Sequence, residues 1–130
     1  MGAEVRWLDG MKVEARTRSG ATLEMDGDGS PSPVEVFMLS AGACTIMDVI
    51  HGLKDRPVEH ATVDLDYHRA ETYPRKVTSM HLNFALTTSA PDALVRRLIE
   101  KSQSTYCSVG ATLLDAGVDV TWSLDLTPLT

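Results

Sequence analysis

The sequence predicts an α+β fold whose sheet is largely antiparallel, and three patterns carry that expectation. Strand-like segments come in runs, with helical segments set between them. The longer strand segments alternate apolar with polar side chains, as sheet with one dry and one wet face requires. One long helical segment is apolar almost all round, so it must be covered on most sides. The resulting order is βββ-α-ββ-α-α-β. No internal repeat, low-complexity tract or linker divides the chain, and residues 1–130 read as one domain.

Residues 5–8, 12–17 and 21–25 form three short strand segments, separated by the turn dipeptides Asp9-Gly10 and Ser19-Gly20. A Gly/Ser/Pro-rich loop from Asp26 follows. Ser32 is then a natural N-cap, with Pro33 at the first helical position and Glu35 three residues on, the signature of a capping box. The first helix runs to about Leu53, slim in its middle at Ser40-Ala41-Gly42-Ala43. Two strands alternate next, with Ala61, Val63, Leu65 and Tyr67 apolar in one and Met80, Leu82, Phe84 and Leu86 in the other. A second helix opens near Ser89-Ala90-Pro91-Asp92 and buries Leu94, Val95, Leu98 and Ile99. Its pattern breaks over residues 102–106, resumes over 107–116 and closes on Gly117. The last strand alternates from Val118 to Leu126.

Composition narrows the function classes. Hydrophobic residues make up 43% of the chain, enough for a real core. The longest uncharged apolar run, residues 36–47, is too short to span a bilayer, so no membrane span is expected. Eighteen acidic against 12 basic side chains give a net charge of −6, which argues against nucleic acid as a partner. The N-terminus lacks the apolar segment of a signal peptide, and Arg6 breaks the myristoylation pattern. The expected setting is cytoplasmic, where two cysteines are more readily chemical groups than a permanent staple.

Four polar residues interrupt the first helix: Ser40, Cys44, Asp48 and His51. Their spacing keeps them within a band of roughly 80° on the helix surface. Such a stripe must face a pocket, a partner subunit or a metal, unless Ser40 bonds its own helix and the others reach solvent. Asp48 raises the pKa of a neighbouring thiol, whereas a protonated His51 lowers it. Cys107 lies at the start of the third helix, where the dipole and free N–H groups favour a thiolate. The bland alternatives are an inert buried Cys44 and a Cys107 that is only a small capping-region residue. A disulfide between them would close a long loop, worth about 4 kcal/mol in the chain-entropy account. A metal site of Cys44, Asp48, His51 and Cys107 lacks the close ligand pairs of strong motifs, and no metal is expected. Glu35, nine residues before Cys44, falls on the opposite helix face, and its capping role explains it. His60, His68 and His81 sit on exposed strand phases and read as solvated, as do Arg16, Arg18, Arg69 and Arg75.

The stretch Ser-Pro-Val-Glu-Val-Phe-Met-Leu-Ser-Ala-Gly-Ala-Cys-Thr-Ile-Met-Asp from Ser32, with Ser-Thr-Tyr-Cys-Ser-Val-Gly-Ala from Ser104, resembles the OsmC/Ohr family. These are the osmotically inducible protein C and organic hydroperoxide resistance proteins. The likeness covers nearly the whole chain, and residues 58–86, with Arg69, Glu71 and Pro74, resemble the OsmC-like branch in particular. The resemblance implies an intertwined homodimer in which sheets wrap central helices and thiol sites lie at the subunit interface. It also implies that Cys44 is the peroxidatic cysteine and Cys107 the resolving one, with an external dithiol as reductant and no bound cofactor. Family members hold the thiolate with an arginine just before an Asp-Gly turn and a glutamate just after the proline. Leu8 and Val34 fill those positions here, and Arg6 and Glu35 are the nearest substitutes. The expected function is therefore a thiol peroxidase acting on organic hydroperoxides. The alternative is a non-catalytic protein that binds a small apolar ligand in an interface pocket lined by Phe37, Met38 and Met47.

Overall fold

The computed structural model describes residues 2–129, which fall into two compact units, Met1–Met38 and Leu39–Thr130. The first carries β1 (Glu4–Asp9), β2 (Lys12–Arg16) and β3 (Thr22–Asp26), an antiparallel meander in the order β1-β2-β3. Gly10, at φ 50°, turns the chain between β1 and β2, and the register slips by a bulge between Trp7 and Asp9. Pairing sets Val5 opposite Ala15 and Ala15 opposite Leu23, and Trp7 opposite Val13 and Val13 opposite Met25. One sheet face is therefore apolar. Arg6, Glu14 and Glu24 line up on the other.

The helix α1 (Pro33–Leu53) begins as its capping box requires. The Ser32 N–H donates to Glu35 Oε1 at 2.8 Å, and the Glu35 N–H donates back to Ser32 Oγ at 3.2 Å. At 21 residues, α1 is long and apolar enough to cross a bilayer by length and composition, which the run 36–47 alone does not convey. Its packing identifies it as a core helix instead. A Cβ on Gly42 would lie 3.2 Å from Val63 Cγ1 and 3.3 Å from Leu65 Cδ1, so the backbone of α1 rests directly on the sheet.

In the second unit that sheet has the order β4-β5-β6, from β4 (Val58–Arg69), β5 (Val77–Thr88) and β6 (Asp119–Pro128). β4 and β5 are antiparallel, but β5 and β6 run parallel, so three of the four pairings among the described residues are antiparallel. The parallel pair follows from its connection. A crossover through α2 (Asp92–Lys101), a π-helical stretch Ser102–Tyr106 and α3 (Ser108–Asp115) returns the chain in the starting direction. The expected alternation holds in β5, whose Met80, Leu82, Phe84 and Leu86 are buried with Val49, Leu53, Val95 and Ile99 of the helices. His81 differs from its expected solvation. Its Nδ1 meets Thr121 Oγ1 at 2.7 Å and its Nε2 meets Ser123 Oγ at 3.0 Å, because the parallel register brings β6 hydroxyls beside it.

Gly42→Val should cost about 1–3 kcal/mol, since branched carbons there would force β4 away from α1. Urea unfolding measures it; an unchanged midpoint would mean that the helix does not rest on Val63 and Leu65.

Candidate functional site

Both cysteines are free thiols, and both belong to the second unit. Cys107 is the N-cap of α3, a position that needs a side-chain acceptor for the unpaired N–H groups of the first turn. Its Sγ accepts from the Gly110 N–H at 3.2 Å. The π-helical stretch ends on the same residue, where the Cys107 N–H donates to the Ser102 carbonyl, five residues back, at 2.8 Å. Only 2% of Cys107 is exposed.

The opposite wall is α1. Cys44 is half-buried, within reach of the Cys107 thiol for a hydrogen bond, and the Val109 N–H at the start of α3 bonds to its sulfur. Burial pushes the Cys44 thiol up from its ordinary pKa. The hydrogen bond with Cys107 adds to that, the Val109 N–H opposes it, and the negative charges of Cys107 and Asp48 raise it further. Thr45, fully buried beside it, donates to the Ala41 carbonyl at 3.2 Å and toward Cys107 Sγ at 3.7 Å. Thr45 Oγ1 in turn accepts from Gln103 Nε2 at 2.8 Å. Ser102 Oγ donates to Asp48 Oδ2 at 2.7 Å.

The structure thus brings Cys44, Asp48 and Cys107 into one region and assigns Asp48 a partner in Ser102. His51 is exposed one turn further on, in a cleft of about 590 Å³ lined by Asp48, His51, Gly52, Leu98, Lys101 and Tyr106. None of Phe37, Met38 and Met47 lines that cleft; Met38 is fully buried in the core and Met47 is 67% exposed. Among the described residues no three His, Cys, Asp or Glu side chains gather as a metal needs, so Cys44, Asp48, His51 and Cys107 do not form a ligand set. Glu35 serves the capping box, and the Ser32 N–H holds its carboxylate below the usual range. Arg6, exposed on β1, bonds Glu4 Oε1 at 3.1 Å. Helical spacing along α1 does not single out Thr45, Ser102 or Gln103. The available signal was the break in helical pattern at 102–106, since a π-helical turn inside a helical run often marks a site.

The chain is thus an α+β protein with two free thiols close to the N-terminus of α3. A sequence profile described as OsmC-like protein matches residues 26–123, and the chain belongs to that family. Protein YhfA of Escherichia coli is 35% identical over 132 aligned residues, which cover 97% of this chain and 98% of that protein. A hypothetical protein from Aquifex aeolicus shares the fold at a TM-score of 0.88 with 20% identity, covering 98% of this chain and 96% of its own. So does an organic hydroperoxide resistance protein from Legionella pneumophila, at a TM-score of 0.69 with 17% identity over 96% and 97% of the two chains.

The raised pKa of Cys44 has a definite sign. The folded state favours the neutral thiol, so that stabilisation is fully present below the ordinary cysteine range and is lost as pH rises through the elevated value. Alkylation of Cys44 by iodoacetamide, followed by mass spectrometry, should accelerate only above the ordinary cysteine range. Cys107→Ala should move that rise to lower pH, by removing a hydrogen bond and a charge that both favour the neutral form. Superimposable profiles would mean that the two thiols do not interact.

Proposed function

We propose that this chain is a thiol-dependent peroxidase that reduces organic hydroperoxides through Cys44 and Cys107. One observation carries the reading: two sulfurs far apart in sequence meet at the N-terminus of α3, one half-buried and reachable, the other enclosed. The Cys44 thiolate attacks the distal peroxide oxygen, the O–O bond breaks, and the alkoxide leaves as an alcohol after taking a proton. Cys44 becomes a sulfenic acid. Cys107 then attacks its sulfur, expelling water and closing a disulfide that an external dithiol reduces, with no bound cofactor. The kinship with an organic hydroperoxide resistance protein supports this substrate class. Arg6 and Glu35 already serve Glu4 and Ser32, so the reading gives stabilisation of the Cys44 thiolate to the Val109 N–H. A dithiol that must be kept reduced suits the cytoplasm.

The same reading takes the protein as a homodimer. Val5 and Trp7 on the apolar face of the first sheet are 66% and 69% exposed, and Leu39, Met47 and Ile50 form an exposed apolar stripe on α1. Exposed apolar faces of this kind often meet another surface, and a second copy would supply one.

A second reading draws on the 590 Å³ cleft, whose Leu98 and Tyr106 offer apolar surface and whose size suits a small ligand. It expects a ligand to stabilise the protein against heat even with both cysteines replaced by serine.

Addition of tert-butyl hydroperoxide should consume both thiols and yield a peptide pair cross-linked through residues 44 and 107. Cys107→Ser should accumulate a sulfenic acid at Cys44 that dimedone traps. Two free thiols remaining after excess peroxide would eliminate the peroxidase.

A further inference from the structure

We propose that Thr45 and Gln103 are positioning residues that prepare Cys107 as the attacking sulfur when the Cys44–Cys107 disulfide closes. The inference rests on the thiol-pair reading above and extends it to residues outside the pair. Three donors run in one direction. Gln103 Nε2 donates to Thr45 Oγ1 at 2.8 Å, Thr45 Oγ1 donates toward Cys107 Sγ at 3.7 Å, and the Gly110 N–H donates to the same sulfur at 3.2 Å. A hydroxyl has one proton. Gln103 fills one of the oxygen's two acceptor positions, and the proton lies between the Ala41 carbonyl at 3.2 Å and Cys107 Sγ at 3.7 Å. Charge developing on Cys107 would draw that proton from the Ala41 carbonyl to the sulfur, beside the Gly110 N–H, because a thiolate accepts far better than a thiol.

The other end of the Gln103 amide is also enclosed. Its Oε1 is buried with no hydrogen-bond partner among the described residues. Turning the amide over would offer that oxygen to the Thr45 hydroxyl, at the cost of drawing the proton away from Cys107. In the orientation present, the amide donates to the Thr45 hydroxyl and leaves that hydroxyl's proton for Ala41 or Cys107. The π-helical stretch is what delivers Gln103, since the extra residue in its turn carries Ser102 and Gln103 to Asp48 and Thr45 while leaving Cys107 at the N-cap.

The step balances without an outside oxidant. The Cys107 thiolate attacks the Cys44 sulfenic sulfur, an S–S bond forms as the S–O bond breaks, and hydroxide departs and is protonated to water. Cys107 is oxidised and the sulfenic sulfur is reduced.

The test avoids peroxide, so that it is separable from the peroxidase reading. 4,4′-Dithiodipyridine reacts with the reachable Cys44, releasing one thiopyridone; Cys107 then attacks the mixed disulfide and releases a second. The ratio of second-phase to first-phase rate at pH 7 should fall about tenfold in Thr45→Val, the size of one hydrogen bond to a charged group. Its pH midpoint should rise, Thr45→Ser should restore both, and Gln103→Leu should lower the ratio several-fold. Ratios and midpoints within twofold of the wild type in Thr45→Val and Gln103→Leu overturn the proposal and leave the thiol pair standing. A wild type with no second phase overturns the disulfide and this proposal together. Two clean phases with the expected losses, in a protein inert to peroxide, uphold the proposal and remove the peroxidase alone.

Discussion

The chemistry of the second unit depends on a sulfur occupying the N-cap of α3. Serine, threonine, aspartate and asparagine ordinarily fill that position, because a helix start must satisfy N–H groups that have no partner within the helix. Cys107 does that work through Gly110 and at the same time presents its sulfur to α1. Gly110 itself is packed close, for a Cβ there would sit 3.3 Å from Cys107 Sγ. Around this point a polar seam of Ser102 with Asp48, Gln103 with Thr45 and Cys107 with Cys44 joins α1 to the crossover within an otherwise apolar core. Apart from Gln103 Oε1, the polar groups of this seam are partnered across it, which favours one register between the two segments.

Much of this was legible in the residues. The capping box at Ser32 and Glu35 marks the start of α1 because its chemistry is local, and the alternation of β5 marks its buried face because period two leaves no other choice. The interruption at 102–106 was visible, but its geometry was not, since a π-helical turn and a plain helix break look alike in a list of side chains. The parallel pairing of β5 with β6 was hidden for a related reason. Strand direction is set by the path of the crossover, whereas half-buried alternation reads the same either way. In the site, helical spacing grouped Cys44 with Asp48, but Thr45 resembled one more small core residue. Its role depends on Gln103, 58 positions away, and no local pattern reports a contact that distant.

The two sulfurs are unequal by construction. Cys107 is enclosed and receives donors from Gly110 and Thr45. Cys44 retains some exposure and receives one N–H, from Val109, against the opposing effects of burial, the neighbouring thiol and Asp48. Two thiols within hydrogen-bonding reach do not ionise independently, because charge on one disfavours charge on the other. A negative charge residing on Cys107 therefore suppresses ionisation of Cys44. For Cys44 to act as a nucleophile its sulfur must lose its proton, and the Val109 N–H is the donor that favours that loss. The Asp48 carboxylate works against it, and its hydrogen bond from Ser102 draws part of that charge away from the sulfur.

The uncovered apolar surface bears on the same group. Met47 lies three residues beyond Cys44 on α1 and is 67% exposed, in line with Leu39 and Ile50. A chain of 130 residues buries a smaller share of its apolar surface than a larger one does, and α1, apolar on most sides, leaves Leu39, Met47 and Ile50 exposed. A second copy seated on that stripe would lower the remaining exposure of Cys44, and burial is the foremost cause of its raised pKa. The proposed dimer would then couple assembly to thiol ionisation through a single helix. What covers Met47 also decides how dry the Cys44 sulfur is, and so how much of the burden of holding charge falls on the Val109 N–H.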